Sequence, residues 1–228
     1  AHYIKNHIDM KKLHILLVAL VLALTATAQK QNGRSMQVAG IAFYNLENLF
    51  DTIPNNPEGR DEEFTPNGSR QWNGQKYWSK IRNMAYCISE MKTKTTPYGP
   101  AIIGVSEIEN KSVLDDLVKD PQIAQWNLQV VHHDSPDSRG VDVGCLYNPK
   151  FFKLENVTNH TLTGVSFRTR DQMCVVGNLW GQRIAVIVNH WPSRLGGHEK
   201  SSPNREAAAA LSKHIADSLW SIDPEIGV

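Results

Sequence analysis

Polar residues that can bind a metal or a phosphate recur where apolar segments of this sequence end. Glu107 follows the apolar run AIIGVS, His190 follows IAVIVN, and Arg139 lies two residues before VDVGCLY. An earlier segment, QVAGIAFY, leads into Asn45 and Glu47. Each has an ordinary structural explanation alone, such as a solvated strand end or a hydrogen-bonded histidine. Together they supply carboxylate, amide, imidazole and guanidinium groups at strand ends, where α/β sheets tend to bind ligands.

These residue types indicate a particular class of ligand. Carboxylate and amide oxygens suit a hard cation such as magnesium, whereas zinc would require histidines and cysteines at ligand spacing. Arginine and histidine beside such a cation suit a phosphate group. The sequence therefore predicts a cation site that handles a phosphate-bearing ligand.

The elements that would position these groups alternate between strand-like and helix-like patterns. Helices are predicted at 75–91, at 110–119 with Asn110 as N-cap, and from Ser202 with Pro203 in the first turn. A long polar loop is predicted at 51–74, a turn at Asn159, and a hairpin turn at Gly181–Gln182. Such a mixture is typical of an α/β sandwich with mixed sheets. Strands are predicted at 37–44, 101–107, 127–132, 141–147, 151–162, 174–180 and 183–189.

The first 28 residues have the pattern of a secretory signal peptide. Met10-Lys11-Lys12 precedes the apolar run at 15–24, and Ala26-Thr27-Ala28 forms a cleavage site. A transmembrane anchor is the alternative, but the run is about half the length that spans a bilayer. We expect translation to start at Met10 and an exported product, periplasmic or extracellular, without a stable membrane span after cleavage. Residues 29–228 would form one domain.

The composition of the expected mature chain excludes some classes of protein. The leader carries three of the 24 basic and one of the 23 acidic residues, which leaves a net charge of −1. No basic excess exists to bind polyanions non-specifically, so a phosphate must be held locally. The three cysteines do not form a disulfide framework, and Cys145 and Cys174 are expected to be buried free thiols.

Four motifs resemble those of the endonuclease/exonuclease/phosphatase superfamily. FYNLENLFD, GVSEIEN, SRGVDVGCLYNP and VNHWPSR occur in order between Val38 and Val228, and are most similar to those of secreted bacterial members. The resemblance implies an α/β four-layer sandwich of two mixed β-sheets flanked by helices, with the metal site at one end. It also implies magnesium as cofactor, with manganese as the alternative.

The resemblance also implies roles for individual residues. Glu107 matches the central metal-ligating glutamate, and Glu47 falls where many members carry an Asp or Asn near the metal. Asn45 matches the asparagine that holds the scissile phosphate, and His190 the histidine that hydrogen-bonds the phosphate and its leaving group. Arg139 is carried over as a further catalytic contact to the substrate. The residues assigned to substrate binding are Asn189, Ser193 and Arg194.

Two motifs of the superfamily are absent from this sequence. The later G-D-x-N and the C-terminal Asp-His pair supply the water-orienting carboxylate and the general base, and neither occurs here. We therefore expect residues 29–228 to be the N-terminal two-thirds or so of a domain, incomplete at the C-terminus and inactive alone. The general base would lie beyond Val228.

The functional expectation is an exported, metal-dependent endonuclease that hydrolyses phosphodiester bonds and is monomeric. A phosphatase, or a phosphodiesterase acting on lipids or sugar phosphates, is the alternative within the superfamily. From another class, a non-catalytic exported binding module on the same fold remains open, because fold alone does not identify a substrate. The partner common to the enzymatic alternatives is a phosphate ester, with nucleic acid as one candidate.

Overall fold

The strands that lead to Glu47 and Glu107 lie side by side in a four-stranded sheet. The computed structural model describes residues 37–56, 58–194 and 196–228, so the expected signal peptide and the start at Met10 lie outside the described residues. β1 and β2 are parallel, and the other two pairs are antiparallel, so the sheet is mixed. Its strands are β1 (Ile41–Leu49), β2 (Ile102–Ile108), β3 (Gln129–His132) and β4 (Asp142–Tyr147), in the order β1-β2-β4-β3.

A second sheet has three strands in the order β5-β6-β7, all antiparallel. They are β5 (Phe152–His160), β6 (Gln172–Leu179) and β7 (Gln182–Val188). Close to the last residue described, Gly227 forms a parallel bridge to Ile184. The segment after the turn at 224–225 thus lies beside β7.

The helices cover the outer faces of the two sheets. α1 (Gly74–Ser89) and α2 (Lys111–Val118) pack on the first sheet, and α3 (His198–Ile222) packs on the second. The inner faces of the sheets meet in a core formed by residues such as Ile102, Cys145 and Val175. The predicted α/β four-layer sandwich is therefore confirmed.

Burial explains why these segments adopt these elements. Six of the seven residues of β2 are buried, as predicted for an apolar run with a sheet partner on each side. The Asn110 side chain accepts hydrogen bonds from the backbone N–H groups of Ser112 (2.8 Å) and Val113 (3.2 Å), which confirms it as the N-cap of α2. Asn73 caps α1 in the same way.

Three local predictions were wrong. α3 begins at His198 rather than Ser202, with Pro203 inside it, because the buried Ser201 already bonds to the Gly197 carbonyl in the first turn. The hairpin turn is Trp180–Gly181, one residue earlier than predicted, and both residues have positive φ. Asn159 is not a turn residue, since it pairs with Met173 in the β5–β6 ladder.

Among the described residues, no helix is both long enough and apolar enough to span a bilayer.

Candidate active site

A pair of matched irregularities in β1 and β2 places Glu107. Asn45 pairs with Ser106 and Leu49 pairs with Ile108, so three residues of β1 oppose one residue of β2. Glu107 has a φ of 58°, in the left-handed region that non-glycine residues seldom occupy. Bulges at the end of a sheet redirect side chains, and Glu107 here lines an open cleft of about 480 Å³.

Glu107, His190 and Arg139 converge in this cleft, which we call the Glu107 cleft. His190 Nε2 lies 3.3 Å from Glu107 Oε1, and Arg139 Nη2 lies 3.6 Å from the same oxygen. Glu107 is 14% exposed and Arg139 is 49% exposed, so the carboxylate lies deeper than the guanidinium. The ends of β2, β4 and β7 thus bring together three residues that are distant in the sequence, the first and last of them 83 positions apart.

The loop that carries His190 is held by Arg170. Arg170 Nη2 donates to the backbone carbonyls of His190 (2.7 Å) and Trp191 (3.2 Å), and its Nη1 donates to Asp137 Oδ2 at 3.0 Å. The other oxygen of Asp137 accepts the backbone N–H of Arg139 at 2.8 Å. This ion pair therefore ties the His190 loop to the Arg139 loop.

Arg170 and Asp137 were missed by the sequence analysis. Both lie in polar segments, DSPDSRG and RTRDQ, that contain several charged residues, and nothing in the sequence distinguishes one of these residues from the others. Only the arrangement of the two sheets shows that they meet. The one sequence signal is that RTRD directly precedes the apolar run of β6, which resembles the polar clusters at other strand ends.

The environment of His190 favours its neutral form. Burial lowers the pKa of the His190 imidazole below its ordinary value, and the positive charge of Arg170 adds to that effect, while Glu107 opposes it. A neutral imidazole has one nitrogen that donates and one that accepts a hydrogen bond. His190 can therefore hold a proton at one nitrogen near neutral pH without carrying a charge.

The lining of the Glu107 cleft has an excess of positive charge. Four cationic side chains and two carboxylates face it, in a chain whose overall charge is near zero. An anionic ligand is therefore attracted to this cleft in particular. The cations are Arg139, Arg168, Arg170 and Lys200, and the carboxylates are Glu107 and Asp137.

The predicted substrate-binding residues are only partly brought together. Ser193 lines the Glu107 cleft. Asn189 is half-buried and donates through Nδ2 to the Ile187 carbonyl at 3.2 Å, which points it back along its own strand. Arg194 is exposed, and its carbonyl accepts the Gly197 N–H at 3.0 Å. Within the described chain, the lining of the cleft includes Ser193 but neither Asn189 nor Arg194.

Asn45 and Glu47 belong to the irregular part of β1. Asn45 Oδ1 accepts the backbone N–H of Glu47 at 2.9 Å. The Glu47 side chain lines a neighbouring cleft of about 640 Å³ with Trp72 and Lys80, not the Glu107 cleft. Lys80 Nζ donates to the carbonyls of Glu47 and Asn48, and therefore fixes the bulge from the α1 side.

Lys80 also interacts electrostatically with the carboxylates of Glu47 and Glu107. Burial lowers the pKa of the Lys80 ammonium, and these two carboxylates oppose the shift. Lys80 has no functional signal in the sequence, because it occupies a polar position of the amphipathic helix α1. Its contacts with the carbonyls of Glu47 and Asn48, 33 and 32 positions earlier in the chain, depend on how α1 packs on the sheet.

The Glu107 carboxylate is available to a hard divalent cation. The nearest nitrogens of His190 and Arg139 lie 3.3 and 3.6 Å from the Glu107 carboxylate, longer than the 2.7–2.9 Å of a tight charge-assisted hydrogen bond, so these groups do not lock it. Oxygen donors of this kind suit magnesium or manganese. In the described part of the chain, one group of three potential metal ligands has its ligand atoms within 4.8 Å of one another. It consists of His132, Asp134 and Asp142 and does not include Glu107.

The chain was compared with known proteins. The sequence profile of the Endonuclease/Exonuclease/phosphatase family matches residues 40–228. No curated protein of similar sequence was found. Solved structures with a similar fold include TDP2 from C. elegans, with 13% identity and a TM-score of 0.47, covering 67% of this chain and 41% of that one. D. rerio TDP2 complexed with single strand DNA product has 10% identity, a TM-score of 0.47 and coverages of 82% and 56%.

A third similar structure is the human Nocturnin catalytic domain with bound sulfate anion, with 21% identity, a TM-score of 0.36 and coverages of 52% and 47%. The chain thus spans about half the length of these structures. The profile match covers most of the chain and includes all four motifs noted in the sequence. The chain therefore belongs to the endonuclease/exonuclease/phosphatase family.

Proposed function

We propose that this chain is part of an exported, metal-dependent phosphoesterase that hydrolyses phosphodiester bonds, with nucleic acid as its substrate. The family acts on phosphoester bonds and is generally dependent on a divalent metal. The observation that carries the proposal is the convergence of Glu107, His190 and Arg139 in a cleft with excess positive charge. That combination suits a phosphate and the cation that neutralises it.

Glu107 would hold the metal in this proposal. Its carboxylate lines the cleft and is not locked by a short hydrogen bond. Magnesium is the cation we favour, with manganese as the alternative. When bound, the cation supplies positive charge that stabilises the charge developing on the phosphoryl oxygens.

Arg139 and His190 would act on the substrate itself. The half-exposed Arg139 guanidinium presents donors that match two phosphate oxygens at once. The neutral His190 would carry its proton at Nε2, the atom that faces Glu107, and would donate it in a hydrogen bond to a phosphoryl or leaving oxygen. Both side chains depend on the Asp137–Arg170 pair for their positions.

One feature, the motif around His190, favours a phosphodiesterase of the nuclease type. The VNHWPSR motif is similar to that of nucleases in the superfamily, and its Ser193 lines the cleft. The near-neutral overall charge means that a nucleic acid would be held by the cleft rather than by a broad basic surface. A phosphatase acting on monoesters is the alternative that the same residues allow.

The test compares the hydrolysis of diesters with that of monoesters by the full-length protein to which this sequence belongs. Bis-p-nitrophenyl phosphate, p-nitrophenyl phosphate and plasmid DNA are each assayed with magnesium and with a chelator. We expect magnesium-dependent cleavage of the diester and of DNA. His214→Ala, which changes an exposed histidine of α3, is the control for His190→Ala and should retain full activity. Faster monoester hydrolysis would favour the phosphatase, and no hydrolysis of any substrate would favour a binding module.

A further inference from the structure

A second polar cleft, of about 340 Å³, lies at the ends of the same strands. It is lined by the loop after β1, the residues after β2, the loop after β3 and the start of β4. We call it the Glu109 cleft, after the residue that follows β2. It shares no lining residue with the Glu107 cleft. Its lining is Asn55, Asn56, Glu58, Arg60, Glu109, Asn110, Asp134, Ser135, Gly140 and Asp142.

Glu109 lines this cleft and has one buried carboxylate oxygen without a hydrogen-bond partner. The residue is only 7% exposed. Its Oε2 accepts the backbone N–H of Asp51 at 2.8 Å, whereas its Oε1 is buried and has no hydrogen-bond partner. A buried carboxylate oxygen without a partner is strongly destabilising. A bound cation at Oε1 would remove that penalty.

Two more buried carboxylates lie near Glu109 and are held by neutral donors: Asp51 by the Ile53 N–H and by Asn110 Nδ2, and Asp61 by the N–H groups of Asn55 and Asn56. Oδ1 of Asp61 is a second buried oxygen without a partner. Among the described residues, no ion pair with a lysine, arginine or histidine involves Glu109, Asp51 or Asp61. Arg60 lines the cleft, but its guanidinium is engaged by Glu58 and by the Asp137 carbonyl.

The facing β3–β4 segment has candidate ligands of its own, in a group that does not include Glu109. The candidate ligand atoms of His132, Asp134 and Asp142 lie within 4.8 Å of one another. Asp142 is engaged by His132 Nε2 at 3.0 Å and by the Ser135 N–H at 2.9 Å, which fixes its position. The Asp134 side chain is 89% exposed and is free to turn toward a ligand. Carboxylates from several segments, with amide groups beside them, are the donors that calcium prefers.

We propose that the Glu109 cleft binds a hard divalent cation of the calcium class, with Glu109 as a direct ligand and Asp134 completing the site from the β3–β4 loop. The cation would join the segment after β2 to the β3–β4 loop. The latter loop carries Asp137 and Arg139 into the Glu107 cleft. The second site would therefore order one wall of the first without taking part in the reaction.

The test measures calcium binding to the 228-residue chain in the Glu107→Gln background, which removes the carboxylate of the first site. Isothermal titration with calcium chloride should show one bound ion. At a calcium concentration about 100-fold above Kd, the thermal midpoint should rise by about 5–10 °C. Adding Glu109→Gln should abolish both effects, whereas Glu62→Gln, which changes an exposed acid of the neighbouring loop, should leave both intact.

A second variant guards against a Glu109→Gln chain that does not fold. Asp134→Asn alters an exposed side chain, so it should leave the circular dichroism spectrum unchanged and weaken calcium affinity about tenfold, as expected when one charged ligand is lost. The proposal is overturned if the Glu107→Gln chain neither binds calcium nor gains thermal stability at calcium concentrations up to about 10 mM, which is above the Kd of the weakest protein calcium sites. It is also overturned if Glu109→Gln and Asp134→Asn bind calcium as well as Glu62→Gln does.

Discussion

The buried pair between Arg170 and Asp137 gives the most quantitative prediction about stability. Arg170 is 9% exposed at its side chain and Asp137 is 2% exposed, and the two are joined at 3.0 Å. Arg170→Met keeps much of the length and apolar contact of the side chain, but leaves the Asp137 carboxylate without its main partner. Removing one member of a buried ion pair destabilises a protein by about 3–5 kcal/mol. Asp137 keeps the Arg139 N–H, so we expect about 3 kcal/mol.

Urea denaturation followed by circular dichroism measures this loss. With a slope of about 2–3 kcal/mol per molar urea, the midpoint should fall by roughly 1–1.5 M. Arg168→Met is the matched control, because Arg168 is two positions away and pairs with Glu58 on the exposed surface. Its midpoint should stay nearly unchanged.

A double-mutant cycle separates the ion pair from simple loss of packing. Asp137→Asn in the Arg170→Met chain removes the carboxylate that the first change left unpaired. The double variant should therefore be more stable than the sum of the two single effects predicts, by about 1–3 kcal/mol. If Arg170→Met shifts the midpoint no more than Arg168→Met, or if the two changes are additive, the pair does not hold the two loops together.

Two further predictions test the fold. Cys87 is exposed whereas Cys145 and Cys174 are buried, and burial raises the pKa of the Cys145 thiol to about 12, so one thiol should react with Ellman's reagent in the folded chain and three in urea. Labelling of all three thiols at the same rate in the folded chain would contradict this. Asn110→Ala removes the N-cap of α2 and should lower the free energy of unfolding by about 1–2 kcal/mol, measured with urea, while an unchanged value would show that the cap is dispensable.

The elements were predictable from sequence where one physical signal dominated. β2 was recognised because an unbroken apolar run between turn residues is typical of a strand buried on both faces. α2 was recognised because Asn110 precedes a short amphipathic pattern that ends near Pro121. The start of α3 was misplaced because Pro203 is usually a first-turn residue, and the bonds of Ser201 to the preceding turn could not be read from the sequence.

Single residues of the site could be predicted from their side-chain chemistry and their position at strand ends, but the contacts between them could not. Glu107 and His190 stood out because each is a functional side chain at the end of an apolar segment. The contact between Arg170 and the His190 carbonyl could not be predicted, since it depends on the packing of the loops at the ends of the two sheets. The matched bulges that turn Glu107 into its cleft have no sequence signal either, because residues other than glycine occupy the left-handed positions.

The central claim is that Glu107 holds the metal while His190 acts on the phosphate. A magnesium titration of bis-p-nitrophenyl phosphate hydrolysis by the full-length protein tests both roles. Glu107→Gln should reduce activity by several orders of magnitude and move the magnesium midpoint to higher concentration, so that added magnesium restores part of the rate. His190→Ala should reduce turnover by roughly 100- to 10,000-fold and leave the magnesium midpoint nearly unchanged. A shifted midpoint for His190→Ala with an unshifted one for Glu107→Gln would contradict the assignment of the two roles, and full activity in both variants would contradict the site itself.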